Sequence, residues 1–212
     1  MLIQEVQRGQ TNQLAAALAG RGGPAEHRWV FKNLSGWTWP EGMAVLTAAP
    51  IEAFRHSVLR SSLLWNWQRR VLLVATVNHD GAPVEIANVH LSAHDDDEWR
   101  RREATLVIER APTAIVGGDF NDRPGHAAPT TMTDAGWHDA WEAVHGDVAA
   151  GGDRADGADR GATNWTDGDR QGRPPTQRLD YVFTPPSGWE IAAATVIGSD
   201  DLDRFAALSD HL

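Results

Sequence analysis

Several short stretches of this chain put groups able to hold a cation or move a proton at the ends of apolar, strand-like runs. The central one is Gly117-Gly118-Asp119-Phe120-Asn121. Thr113-Ala114-Ile115-Val116 before it reads as a buried strand, and Asp122-Arg123-Pro124-Gly125 after it reads as a turn. Two glycines at a strand end allow backbone to approach a ligand closely. Asp119 and Asn121 lie two apart, so an extended backbone points both the same way. A carboxylate beside an amide suits a metal-bound phosphate, the first for a cation or a water, the second for a phosphate oxygen. Taken alone, the pentapeptide is equally an ordinary Asp/Asn turn after a strand. Its company extends the pattern: Glu5 in Leu2-Ile3-Gln4-Glu5-Val6, His90 in Asn88-Val89-His90-Leu91, Asp180 in Arg178-Leu179-Asp180-Tyr181-Val182-Phe183, and Asp210-His211 in Ser209-Asp210-His211-Leu212.

The elements that must carry these groups follow from periodicity and punctuation. Residues 1–6 read as a strand ending on Glu5, and 12–18 as a helix stopped by Gly20. Strands are predicted over 28–31 and 41–47, while 54–64 is ambiguous. Strands 71–77 and 84–91 are joined by Asn78-His79-Asp80-Gly81, a hairpin turn. Asp95, Asp96 and Asp97 suit the N-terminus of a helix running to Arg110, a plainer role than metal binding. Ala104, Val107, Ile108 and Ala111 form its buried stripe, and Pro112 ends it. Short helices are predicted over 126–135 and 139–144, and strands over 179–183 and 189–197. Residues 146–175 are rich in Gly, Asp and Arg and read as a flexible surface loop, with a more ordered Thr163-Asn164-Trp165 inside it. Asp153, Asp156 and Asp159 match no EF-hand spacing.

Composition bounds the chemistry. The 212 residues, 42% hydrophobic and 23% charged, suit one large domain. There is no cysteine, so a metal must be held by carboxylate, amide or imidazole, which favours a hard cation such as magnesium or manganese. No apolar run spans a bilayer, and no signal peptide follows Met1, which implies a cytoplasmic location if Met1 is the true start. The net charge is −10, and Lys32 is the single lysine. A global basic field for gripping long nucleic acid is therefore lacking, although Arg69-Arg70 or Arg100-Arg101-Arg102 could form a local patch or simply a solvated face. Of the ten tryptophans most are expected to pack; Trp37 and Trp39 flank a loop where stacking on a substrate is a minor alternative.

Together and in this order, the motifs around Glu5, His90, Asp119/Asn121, Asp180 and Asp210/His211 resemble the endonuclease/exonuclease/phosphatase superfamily, with the deoxyribonuclease I-like fold. The resemblance runs from Met1 to Leu212. It implies an α+β fold, a four-layer α/β/β/α sandwich of two mainly antiparallel sheets packed face to face with helices outside. It also implies divalent-metal-dependent hydrolysis of phosphoester bonds using Mg2+ or Mn2+. In that scheme Glu5 ligates the cation with Asp210 close by, and His211 takes a proton from the attacking water. Asp180 orients His211, Asp119 positions the nucleophile or touches the metal, and Asn121 and His90 donate hydrogen bonds to the phosphate. A Glu-Gly at a strand start, here Glu41-Gly42, implies a carboxylate beside His90; a surface glutamate is the other reading. Histidine at position 90 places the chain in the histidine-containing branch, apart from repair enzymes that carry tyrosine there.

Three functions stay open at this stage. A phosphodiesterase or nuclease-type hydrolase acting on nucleic acid or a small diester leads, followed by a phosphatase or sphingomyelinase-like headgroup hydrolase on the same site, and by a non-catalytic module with a relic site. No protein partner is implied. Relatives have a strand before the one carrying Glu5, bearing an asparagine, and a further strand after the Asp-His pair. The resemblance thus implies that residues 1–212 are a piece of a longer reading frame or a compromised variant, the alternative being a short protein with rearranged strands.

Overall fold

The computed structural model describes residues 1–23, 26–35, 39–61, 69–93, 97–146, 161–164, 175–197 and 211. Its strands are β1 (Leu2–Val6), β2 (Glu26–Ser35), β3 (Trp39–Thr47), β4 (Ile51–Arg60), β5 (Arg70–His79), β6 (Ala82–His90), β7 (Ile115–Asp119), β8 (His138–Asp139) and β9 (Asp180–Thr184). The helices are α1 (Arg8–Ala19), α2 (Asp97–Arg110), α3 (Ala127–Asp134) and α4 (Ala140–His145). β1-β3-β2 form a small antiparallel sheet and β4-β5-β6-β7-β9-β8 a large one. Only β6 and β7 are paired in parallel among the described residues, because α2 supplies the crossover that parallel neighbours need.

The layers follow from side-chain alternation. In β5, Val71, Leu73 and Ala75 turn one way and join Val30, Met43 and Val45 of the small sheet. Leu72 and Val74 turn the other way, to Ala104, Val107 and Ala111 of the α2 segment and Met132 of α3. β5 is therefore apolar on both faces and reads as a continuous hydrophobic run. On the outside of the small sheet, Ala15, Leu14 and Leu18 of α1 cover Val6, Ala44 and Leu46. Helix, sheet, sheet and helices thus stack in the expected α/β/β/α order.

Several local expectations change. Of the ambiguous segment 54–64, residues 54–60 are strand, since β4 runs from Ile51 to Arg60 along β5, and 62–64 lie outside the described residues. Residues 189–197 are not strand, and Trp189 and Ile197 stay exposed. Gly20 is right-handed at the end of α1; the left-handed glycine is Gly22, after which Gly23 N–H closes on the Leu18 carbonyl. Asp80 and Gly81 both have positive φ, as a two-residue hairpin turn requires. Asp97 and Glu98 occupy the first turn of α2, while Asp95 and Asp96 lie outside the described residues. So do Trp37, Trp165, Asp153, Asp156, Asp159 and most of 146–175.

Asn88 ties the sheets together just before His90. Its Nδ2 donates to the carbonyls of Ile3 and Ala44, and its Oδ1 accepts from Gln4 Nε2 at 2.7 Å. A fully satisfied amide in the sandwich core fixes how β1 and β3 sit above β6.

Candidate active site

The site is a register row. His90 at the end of β6 pairs with Asp119 at the end of β7, and Asp119 pairs with Asp180 at the start of β9. Residues directly opposite on neighbouring strands share a face. All three side chains therefore turn toward the small sheet, which brings Glu5 from β1, Lys32 from β2 and Glu41 from β3. His90 Nε2 lies 3.5 Å from Asp119 Oδ2 and 3.9 Å from Glu5 Oε1. On the other flank His211 Nδ1 lies 2.7 Å from Asp180 Oδ2.

Backbone strain is placed where these groups are. Among the described residues, positive φ outside glycine occurs at Glu5, Asn121 and the hairpin residue Asp80. Glu5 sits where the β1–β3 register shifts, between Ile3 and Val6. That bulge leaves its carboxylate largely exposed at the cleft. Asn121, at φ 50, is not extended; it folds back so that its N–H donates to Asp119 Oδ1 at 2.7 Å. Its Nδ2 is divided between Leu91 O and Asp119 Oδ2, both at 3.1 Å. Both amide hydrogens are thus already used, one on Leu91 and one in holding Asp119. The paired glycines are needed for close packing of the strands. A Cβ on Gly118, at φ 137, would run into the Val89 carbonyl oxygen, and one on Gly117 would press on Leu2 of the small sheet.

The expected contact between Glu41 and His90 is replaced by a chain through Lys32. Lys32 is 1% exposed; its Nζ lies 2.6 Å from Glu41 Oε1, 3.0 Å from His90 Nδ1 and 3.7 Å from Glu5 Oε1. In sequence Lys32 only follows the apolar run Trp29-Val30-Phe31, a placement that does not by itself mark an interior partner. Asn164 was likewise missed as a site group. Its Nδ2 meets His211 Nε2 at 3.0 Å, and bridges to Gln177 and His211 hold it there. Thr163 Oγ1 accepts from the N–H groups of Leu179 and Asp180, fixing the start of β9.

Burial sets the electrostatics. Desolvation, then the charge of Lys32, then Arg70, hold His90 well below its ordinary pKa. Desolvation and then the Asp180 carboxylate push Asp119 up to about 7, against the pull of His211 and the Asn121 N–H. Burial lowers Lys32, opposed by Glu41. Arg70 is no surface patch: it is buried and feels Glu103, Asp119, Glu5 and Glu41. Arg100 is also buried, 2.7 Å from Asp97 and 3.3 Å from Asp122, while Arg101 and Arg102 pair with Glu98. The arginine run is thus committed to α2 and its surroundings, not to a free basic face.

Asp210 lies outside the described residues. The oxygen donors that remain, exposed Glu5 facing Asp119 across His90, fit a hard divalent cation. A carboxyl raised toward neutrality by burial and a second carboxylate is a position short of positive charge. Asp97, Asp122 and His126 form another compact group of potential ligands, but the Arg100 guanidinium already lies against both carboxylates. No helix among the described residues is long and apolar enough to cross a membrane.

Comparison with solved structures finds this fold repeatedly. An endonuclease/exonuclease/phosphatase family protein from Leptotrichia buccalis matches with a TM-score of 0.65 and 20% identity, over 88% of this chain and 68% of that one. The human Nocturnin catalytic domain, solved with a bound sulfate anion, matches with a TM-score of 0.65 and 17% identity, over 100% of this chain and 77% of that one. A mannosyl-6-phosphatase from Bacteroides thetaiotaomicron matches with a TM-score of 0.59 and 17% identity, over 87% and 70%. No curated protein matches the sequence. The model of the Endonuclease/Exonuclease/phosphatase family, whose members are hydrolases acting on phosphoester bonds, matches residues 1–211. The chain belongs to the endonuclease/exonuclease/phosphatase family.

Proposed function

We propose that this protein hydrolyses phosphoester bonds with the help of a divalent cation, magnesium or manganese, and that phosphodiesters are its preferred substrates. The observation that carries the reading is the row His90, Asp119, Asp180 with His211 hydrogen-bonded to Asp180 and Glu5 facing the row. Asp180 accepts a hydrogen bond from His211 Nδ1–H, which leaves the Nε2 lone pair as the base. In the resting site that lone pair accepts from Asn164. A water held by His211 takes the place of the Asn164 amide and passes its proton to Nε2 as it attacks phosphorus, while the bond from phosphorus to the ester oxygen breaks and that oxygen leaves, taking a proton from solvent. The imidazolium that results is stabilised by Asp180. Glu5 would hold the cation, with Asp119 beside it; when bound, the cation supplies neutralisation of phosphate charge. His90 would donate from Nε2 to a phosphate oxygen. Asn121 serves first to hold Asp119, and could donate to phosphate only by giving up Leu91 or Asp119.

The test compares bis-p-nitrophenyl phosphate with p-nitrophenyl phosphate, each with magnesium, manganese or EDTA. The expected result is cation-dependent turnover that is faster on the diester. Faster turnover of the monoester would favour a phosphatase. No turnover of any phosphate ester with either cation would refute the reading and leave a binding module.

A further inference from the structure

We infer that Lys32 is a positioning residue that fixes His90 in the tautomer with its proton on Nε2, making His90 a neutral hydrogen-bond donor to the substrate rather than an acid or base. The inference rests on the phosphoesterase reading only for what His90 then does; the tautomer itself follows from geometry. Three carboxylates surround the Lys32–His90 pair. Glu41 lies 2.6 Å from Nζ, Glu5 lies 3.7 Å from it, and Asp119 lies 3.5 Å from His90 Nε2. Arg70 acts on both members of the pair, and His211 acts on His90 as well. With Glu41 in contact, Lys32 is an ammonium, and an ammonium can only donate. His90 Nδ1, 3.0 Å away, must then be the acceptor and carry no proton. A neutral imidazole in that state bears its hydrogen on Nε2. Nε2 points to the side where Glu5 and Asp119 converge.

The usual partner for an imidazole that orients or shuttles protons is a carboxylate accepting from one ring nitrogen, as Asp180 does for His211. At His90 the sign is reversed, because a cation has been placed between the ring and Glu41. Protonating Nδ1 would set two donors against each other, a buried ammonium and an N–H, at hydrogen-bond distance. The two histidines of the site are thereby given different work by their partners: His211 an accepting Nε2, His90 a donating one. The burial of Lys32 supports this division, since a side chain 1% exposed cannot swing out to meet solvent or a substrate without opening β2.

The test is nitrogen NMR of the imidazole of His90 in 15N-labelled full-length protein, using long-range proton–nitrogen correlations that distinguish protonated from unprotonated ring nitrogens. The expected wild-type spectrum shows Nδ1 bare and Nε2 protonated. Lys32→Met keeps the apolar stem and removes the donor, and Lys32→Met with Glu41→Gln avoids burying an unpaired carboxylate should the single variant fail to fold. Either should shift His90 to the Nδ1–H form or to a mixture. His90→Gln, which keeps a side-chain donor, should retain at least tenfold more turnover than His90→Ala. A wild-type Nδ1–H tautomer, or an Nε2–H tautomer unchanged in the lysine variants, would overturn the inference. The spectra need no substrate, so an inactive protein would defeat the phosphoesterase reading while leaving the tautomer result to stand or fall alone.

Discussion

Asp119→Asn isolates the charge problem at the centre of the site. Asp119 is 7% exposed and its carboxyl is raised from 3.8 to about 7, first by burial and then by Asp180. Between those values the folded state keeps a proton that the unfolded chain has released, so stability falls as pH rises, by about 1.4 kcal/mol per pH unit. His90 acts in the opposite sense. Its buried ring stays neutral where the unfolded chain is protonated, so its contribution rises with pH until about 6.5, the ordinary histidine value. Over the shared range the two slopes offset, and the wild type is expected to be nearly flat apart from its other carboxylates. Subtracting wild type from Asp119→Asn removes every shared group. The difference should grow in favour of the variant by about 1.4 kcal/mol per pH unit, reach about 4 kcal/mol near pH 7 and level off above it. The loss of a good partner for the Asn121 amide adds an offset that does not vary with pH. Urea unfolding from pH 4.5 to 8.5 in EDTA measures the curve. Saturating magnesium should flatten it, because a cation beside Asp119 stabilises the carboxylate and draws its pKa down. A difference independent of pH in EDTA would refute the assignment of Asp119 as a buried carboxyl short of positive charge.

Other outcomes follow from the same geometry. His211→Ala should lower kcat on a diester by roughly two to four orders of magnitude with a far smaller change in KM, and Asp180→Asn should reproduce much of that loss; near-normal turnover in either would exclude the dyad as the base. Glu5→Gln should weaken magnesium or manganese binding strongly in calorimetry at neutral pH, and equal affinity would remove Glu5 from the ligand set. Asn88→Ala strands the carbonyls of Ile3 and Ala44 inside the sandwich, at a cost of about 1–3 kcal/mol for each unsatisfied group; chemical denaturation should show a drop of that order, and an unchanged midpoint would mean that the sheets are not held by this amide.

The residues themselves carried the architecture and the neighbours His90, Asp119 and Asp180 of the candidate site. Alternation in β5 and β6, the Asp80-Gly81 turn and the stripe Ala104, Val107, Ala111 follow from local rules, because side-chain period and turn chemistry depend on near neighbours in the chain. Polar residues ending apolar runs marked His90, Asp119 and Asp180, whose register then set them side by side. The fate of 189–197 was not legible, since a strand exists only if a partner edge is free, and that depends on the whole sheet. Nor was the work of Asn121, whose left-handed backbone turns it onto Asp119, or of Asn164, which reaches His211 from a segment poor in pattern. Lys32 is the clearest case. A lysine in a strand is unremarkable as sequence; only the packing of two sheets buries it between Glu41 and His90. Which nitrogen of His90 carries the proton is decided by that meeting of residues 58 apart in the chain, because an ammonium in contact leaves the ring nitrogen no choice but to accept.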